Sequence, residues 1–215
     1  MLVGERMSKP AITISPGVSV PEAHQLMREK NIRRLPVINK RDRLVGIISN
    51  EDVVNASPSP ATSLSIWEIN YLINKLEVKE IMTTEVITVE VTDTIEKAAR
   101  LMADHKIGGL PVLDQDQVVG VITETDLFKL FMELAGSRDP GLRLTLLIPN
   151  RIGEIAQLTQ AISEAGGDII ALGIYEAEDP DQGELFLKLK NLEEEELLPV
   201  IQPFVDNIKD IRSYG

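Results

Sequence analysis

The spacing of apolar positions changes several times within the first 57 residues, and each change marks an element. Ala11 to Ile14 reads as a short strand. Ala23, Leu26 and Met27 then recur at helical spacing. Ser19-x-x-Glu22 opens that helix with a capping-box pattern, in which a hydroxyl and an acid three residues on satisfy free backbone N–H groups. Leu35-Pro36-Val37 begins a strand, Asn39 to Arg43 is a polar turn, and a second strand runs through Gly46 into Ser49. A last helix starts near Asp52. The order is β-α-β-β-α.

The pattern returns 75 residues later. Met7 meets Met82, Ile12 meets Ile87, Thr13 meets Thr88, and Ala23 meets Ala98. Leu35-Pro36-Val37 meets Leu110-Pro111-Val112. After a deletion near Asp116 the offset is 74, and Gly46, Ser49 and Asp52 meet Gly120, Thr123 and Asp126. Residues 1–57 and 78–134 are two copies of one unit, joined by 58–77. A unit this small makes a poor core alone, so the two copies should pack together. The joining stretch is not repeated. Its Ser-Pro-Ser-Pro run reads as a loop, and Ser65 to Leu76 reads as a helix with apolar residues around much of its circumference.

Residues 135–141 read as a linker, and a third pattern follows over 142–215. Leu142 to Ile148 is a strand, Pro149 to Gly153 a turn, and Glu154 to Ala165 a helix with Ile155, Leu158, Ala161 and Ile162 on one face. Gly166-Gly167 ends it. Ile169 to Tyr175 and Leu185 to Leu189 flank a polar hairpin. Leu197 to Val205 suggests a helix bent near Pro199 and Pro203, and Ile208 to Ser213 a final edge strand. This βαββαβ order is ferredoxin-like. The whole chain is thus mixed α+β.

Composition narrows the chemistry. The net charge of -12 and pI near 4.7 disfavour a phosphate backbone, so nucleic acid is not an expected partner. Cysteine is absent, which removes disulfides and thiolate sites, and His24 and His105 sit at unrelated repeat positions, so no metal site is expected. No run of about 18 apolar residues occurs and the N-terminus lacks a signal-peptide core, which suggests a cytoplasmic protein without a membrane partner. Positive charge gathers in residues 1–57, with nine Lys/Arg against six Asp/Glu.

The recurring Gly-apolar-apolar-[Ser/Thr]-x-x-Asp admits two readings. Ser49 with Asp52, and Thr123 with Asp126, form near capping boxes that stabilise a helix start. A helix start behind a strand also presents N–H groups to an anion, and a carboxylate there can accept both hydroxyls of a ribose. The copies differ just before Leu-Pro-Val. Copy one has Lys30, Arg33 and Arg34, whereas copy two has His105, Gly108 and Gly109, with Lys106 beside them. Arginine forks suit phosphate oxygens, so Arg33 and Arg34 are candidates to hold AMP, ADP or ATP in one cleft. The less basic cleft suits a neutral or cationic compound such as S-adenosylmethionine.

The ordered set Met-[Ser/Thr], Ile-x-x-Leu-Pro-Val and Gly-apolar-apolar-[Ser/Thr]-x-x-Asp, present twice, resembles the CBS domain, and the pair resembles a Bateman module. That resemblance implies adenosine ligands, with ribose on the Asp and adenine against Leu-Pro-Val and the first strand. It implies one site at Ile12, Thr13, Leu35, Pro36, Val37, Ser49 and Asp52. It implies a second at Ile87, Thr88, Leu110, Pro111, Val112, Thr123 and Asp126. Residues 142–215 resemble an ACT domain, through the strand, the turn Asn150-Arg151-Ile152-Gly153, and an amphipathic helix ending in Gly-Gly. In that family the turn meets an amino-acid effector at a dimer interface. Ile152 stands where the family pattern has Pro. The architecture resembles regulators of the acetoin-utilization protein B type. The implied role is a non-catalytic, homodimeric sensor of AMP, ADP, ATP, S-adenosylmethionine or NAD, without a cofactor. The alternatives are an amino-acid sensor working through the ACT interface and a ligand-free interaction adaptor.

Overall fold

The computed structural model describes residues 1–56, 67 and 74–214, and these fall into two compact units, Met1–Leu127 and Phe128–Gly215. Most of the helix expected over 65–76 lies outside the described residues.

In the first unit, α1 (Val3–Arg6) is followed by α2 (Val20–Glu29), β1 (Arg34–Ile38), β2 (Leu44–Ser49) and α3 (Asn50–Asn55). The second copy supplies β3 (Val89–Glu90), α4 (Ile95–His105), β4 (Gly109–Asp114), β5 (Gln117–Thr123) and α5 (Glu124–Leu134). β1 and β2 pair antiparallel, as do β4 and β5, while β3 lies parallel to β4. The apolar face of α2 buries Ala23 and Met27 in a core with Leu35, Val37 and Ile48. Their counterparts Ala98, Met102, Leu110, Val112 and Ile122 are buried likewise.

One expectation changes here. The first strands are shorter than expected. In copy one only Ile14 bridges to Val37, and in copy two the strand is Val89–Glu90. The reason is that the segment divides its hydrogen bonds. Ile14 donates to Pro36 of its own copy at 3.0 Å, but Ala11 donates to Val119 of the other at 3.1 Å, so no continuous ladder forms.

The opening segments also cross over between the copies. Val3 and Gly4 donate to Asp93 and Val91, and Ser8 exchanges two backbone bonds with Val121 (2.9 and 3.1 Å). In return Val78 and Lys79 donate to Val18 and Pro16 (both 2.9 Å), and Thr83 exchanges two bonds with Ile47. Val78, fully buried, belongs to the core of copy one. The crossing explains two motif residues together. A Cβ on Gly46 would overlap the Met82 sulfur, and one on Gly120 would overlap that of Met7. Each motif glycine admits the methionine that opens the other copy.

The second unit is a four-stranded sheet with two helices. β6 (Gly141–Pro149), α6 (Glu154–Glu164), β7 (Asp168–Glu176), β8 (Gln182–Lys190), α7 (Glu194–Ile201) and β9 (Asn207–Tyr214) follow in βαββαβ order. The strand order is β7-β8-β6-β9, antiparallel throughout. On β6, Leu142, Leu144, Leu146 and Ile148 alternate into a core shared with Leu158, Ile162, Leu197 and Ile201. α7 runs through Pro199 and tightens into a 3-10 turn at Gln202–Phe204.

The stretch 135–141, expected as a plain linker, begins as a helix cap. Gly136 has φ +56° and donates to Glu133, while Ser137 donates to Met132 at 2.9 Å, closing the end of α5. The buried Lys188 donates from Nζ to the Gly136 carbonyl at 2.7 Å. A cation at a helix C-terminus complements the orphan carbonyls there. Among the described residues no helix is long and apolar enough to cross a membrane.

Candidate functional site

The chemistry starts at the two caps. Ser49 ends β2 with extended backbone, which turns its hydroxyl back over the first turn of α3. Its Oγ accepts from Asp52 N–H at 3.2 Å. Asp52 Oδ2 in turn accepts from Ser49 N–H and from Ser49 Oγ–H, both at 2.7 Å. Thr123 and Asp126 repeat the arrangement at 3.4, 2.9 and 2.7 Å. The capping reading therefore holds in both copies. Among the described residues it uses one carboxylate oxygen of each aspartate and leaves Oδ1 for another donor, so capping and ligand binding are compatible.

Beside the first cap lies a cleft of about 270 Å³. Ile47, Ser49, Asp52 and Arg34 enter it from copy one. Thr83, Ile87, Gly108, Gly109 and Pro111 enter from copy two, with Lys106 at its side. Asp52 therefore faces the other copy's Ile87 and Pro111, and the two site sets expected from the sequence are mixed. The crossing of the 83–88 segment onto copy one produces that mixture. Ile12, Thr13 and Pro36, expected beside Asp52, are not in its cleft, and Ile12 packs on the core of copy one. Thr88 also lies outside the lining. Leu35, Val37, Leu110 and Val112 are fully buried, with their side chains in the core.

Comparison with known proteins matches this framework. The CBS domain model matches residues 3–59 and 78–133, more than half of the chain. The chain belongs to the CBS domain family. A crystal structure of the CBS domain pair of protein MJ0100, in complex with 5′-methylthioadenosine and S-adenosyl-L-methionine, is 32% identical with a TM-score of 0.51. It covers 65% of this chain and 98% of that one. A Vibrio cholerae protein named for acetoin utilization (AcuB) is 28% identical with a TM-score of 0.53, over 64% of this chain and 95% of that one. Among curated proteins, L-aspartate semialdehyde sulfurtransferase of Methanocaldococcus jannaschii is 34% identical over 131 residues, 60% of this chain and 23% of that enzyme. Inosine-5′-monophosphate dehydrogenase of Korarchaeum cryptofilum is 38% identical over 134 residues, 62% of this chain and 25% of the enzyme. The chain thus spans about a quarter of the length of these enzymes.

Within the CBS pair the electrostatics centre on Arg34. Its side chain leaves β1 and reaches across to β4, where a Cβ on Gly109 would overlap Nη1 and one on Gly108 would lie 2.7 Å from Nη2. The same point over Gly108 is 2.9 Å from Glu124 Oε2, at the start of α5. Burial depresses the Arg34 pKa most, the neighbouring Arg33 adds to this, and Glu124 opposes it. Among the described residues Arg34 Nη1 is buried without a hydrogen-bond partner. Of the two arginines singled out in the sequence, Arg34 enters the cleft, whereas Arg33 is exposed and outside it. Lys106, with φ 54°, turns the chain from α4 toward Gly108. No sequence signal pointed to Glu124.

In the second unit the turn residues are dispersed. Asn150 Nδ2 donates to Pro180 O at 3.1 Å and Asn150 N–H to Asp181 O at 2.8 Å, so the asparagine anchors the β7–β8 loop. Arg151 and Ile152 are exposed. Gly153, at φ +93°, allows the turn into α6. An open depression holds Asn150 with Ile174, Tyr175 and Gln182, and the other three turn residues are not in its lining. Among the described residues no His/Cys/Asp/Glu cluster suits a metal ion.

Proposed function

We propose that this CBS pair is a non-catalytic regulatory sensor that binds an adenosine-containing small molecule in the Asp52 cleft. One observation carries the reading. Asp52 Oδ2 is consumed by its cap, no described residue donates to Oδ1, and Asp52 lines one cleft with the apolar Ile87 and Pro111. That is an acceptor for ribose hydroxyls next to a slot for a base. The MJ0100 pair, crystallised with two adenosine compounds, supports the ligand class. At about 270 Å³ the cleft falls just below the usual range of small-molecule sites, about 300–1,000 Å³, which favours a mononucleoside over a dinucleotide such as NAD.

We further read the βαββαβ unit as an ACT-like domain that dimerises and receives the signal. β7 is an edge strand with Leu172, Ile174 and Tyr175 exposed, a surface suited to pairing with a second copy. The amino-acid reading is weaker, because the Asn150 amide already serves the β7–β8 loop.

Calorimetric titration of the full chain with adenosine, AMP, ADP, ATP, 5′-methylthioadenosine, S-adenosylmethionine and NAD tests the sensor reading. Saturable binding of at least one mononucleoside is expected. Asp52→Asn should weaken it by about tenfold or more, the worth of hydrogen bonds to a charged group. Asp126→Asn, which alters the equivalent cap outside this cleft, should leave it in place. Silence from every adenosine compound at millimolar concentration would end the reading.

A further inference from the structure

The two edges of the four-stranded sheet are treated differently. β7 is one edge and β9 the other. An edge strand presents unpaired N–H and C=O groups to any other strand, and proteins commonly block it with charge. β9 is blocked in that way. Lys209 pairs with Glu184 at 2.7 Å, and Asp210 takes both Arg143 and Arg212 at 2.9 Å. β7 is not. Its acids, Asp168 and Glu176, stand at its two ends, and residues 169–175 between them carry no charge. Leu172, Ile174 and Tyr175 are exposed on it.

Gly173 lies within this stretch. A glycine inside a strand weakens it and often marks a place where another backbone comes close. The conformation of β7 does not call for one. The φ of Gly173 lies outside the left-handed region, and an added Cβ would make only ordinary contacts, 3.9 Å from Phe186 and 4.0 Å from Tyr175. The ladder to β8 gives the glycine a further distinction. A bulge between Ile169 and Ala171 interrupts it on one side, and the acidic Glu176 ends it on the other. The regular, uncharged stretch is therefore 171–175, and Gly173 is its midpoint.

Resting on the reading of this unit as one that dimerises, we propose that two copies of the chain join antiparallel through β7 about a two-fold axis at Gly173. The stretch is complementary to itself in this register. Leu172 of each copy falls opposite Ile174 of the other, on the face that also carries the core residues Leu185 and Leu187, so the exposed apolar side chains cover one another. On the other face Tyr175 meets Ala171 of the second copy. Gly173 meets itself on the axis, where a larger side chain would have to share space with its own copy. Neighbouring registers are worse. An axis at Leu172 sets Asp168 opposite Glu176, and like charges directly opposite are destabilising. An axis at Ile174 sets Leu172 opposite Glu176 and leaves Ala171 beyond the end of the partner strand.

The chain has no cysteine, so an introduced thiol is the only one present, and disulfide trapping reads the register. Residues directly opposite in an antiparallel pair have Cα atoms about 4.5–5.5 Å apart, within disulfide reach, whereas diagonal neighbours at about 7–8 Å are too far apart. Under a mild thiol oxidant, full-length Gly173→Cys should become a covalent dimer. Leu172→Cys and Ile174→Cys should each stay unlinked alone and should link when the two proteins are mixed. Sedimentation of wild type should show a dimer, and Ile174→Lys, at an exposed position, should weaken it by about tenfold or more with little change in melting temperature. If Leu172→Cys or Ile174→Cys links to itself while Gly173→Cys does not, the register is overturned and pairing through β7 stands. If wild type is a dimer that no cysteine traps and Ile174→Lys leaves intact, pairing through β7 is overturned. If wild type sediments as a monomer, the proposal and the dimer reading fall together.

Discussion

Arg33 and Arg34 precede Leu35-Pro36-Val37 in the first CBS repeat, and Gly108 and Gly109 precede Leu110-Pro111-Val112 in the second. The strands that carry them are otherwise matched. Val37 faces Gly46 and Val112 faces Gly120, and both ladders shift register immediately afterwards. The caps at Ser49 and Thr123 have the same three hydrogen bonds, and each motif glycine accepts the other copy's methionine. The difference teaches where the repeat is constrained. The framework positions and the cap aspartates are kept in both copies, while the two positions just before Leu-Pro-Val diverge. A single arginine occupies the space that two glycines provide, so the asymmetry of the pair is built from one side chain of one copy and two missing side chains of the other.

The comparison is most easily broken in the core. Leu35 and Leu110 are both fully buried at equivalent strand positions. Leu35→Ala and Leu110→Ala should each cost about 2–5 kcal/mol, from lost transfer energy and the cavity left behind. Urea denaturation of the two variants checks this. If one is nearly neutral while the other is severe, the two cores are not equivalent and the framework argument fails.

The crossover contacts come next in size. In Gly46→Ala the new methyl meets the Met82 sulfur and lies 3.1 Å from the Thr83 carbonyl oxygen. In Gly120→Ala it meets the Met7 sulfur and lies 2.9 Å from the Ser8 carbonyl oxygen. The methionines can shift, but the backbone carbonyls are held by the bridges to Ile47 and Val121. We expect each variant to lose about 1–3 kcal/mol, the usual cost of overpacking. Gly17→Ala, with nothing within 4 Å of the added carbon, is the neutral control. Matching losses at Gly46 and Gly120 would sharpen the symmetry; a neutral result at either would remove the explanation of the motif glycine.

Much of this was legible in the sequence because it is local. The alternation of Leu142, Leu144, Leu146 and Ile148 marks β6, and the helical spacing of Ala23 and Met27 marks α2. The caps were legible because a hydroxyl and an acid three residues apart meet within one turn. The crossover was not, since Met7 and Gly120 are far apart in the chain and nothing local says which copy a segment joins. That same ambiguity mixed the site sets. With two equal repeats, Asp52 beside Ile12 and Asp52 beside Ile87 are indistinguishable as patterns, and only the long-range bonds of Thr83 decide. The helix cap at Gly136 was hidden because its partner, Lys188, comes from a distant strand.

The smallest effect separates the copies through charge. In copy two, Lys97 Nζ donates to both oxygens of Asp93 at 2.8 Å, and Glu90 N–H donates to Oδ2 at 2.9 Å. Copy one has Val18 and Glu22 at the equivalent positions, so it lacks this pair. The Lys97 ammonium first, and the Glu90 N–H second, hold the Asp93 carboxyl below the usual carboxylate range. A depressed carboxylate stabilises the fold above its unfolded pKa, near 3.9, and that contribution is lost as pH falls through the lower folded value. For an exposed i,i+4 pair the worth is about 0.3–0.5 kcal/mol. Asp93→Asn should therefore melt slightly below wild type at neutral pH, and the gap should close as the pH is taken below about 4. Added salt should shrink the neutral-pH gap by screening. A gap of constant size across the acid range would mean that the side chain acts through its hydrogen bond to Glu90, which asparagine retains in part, rather than through its charge.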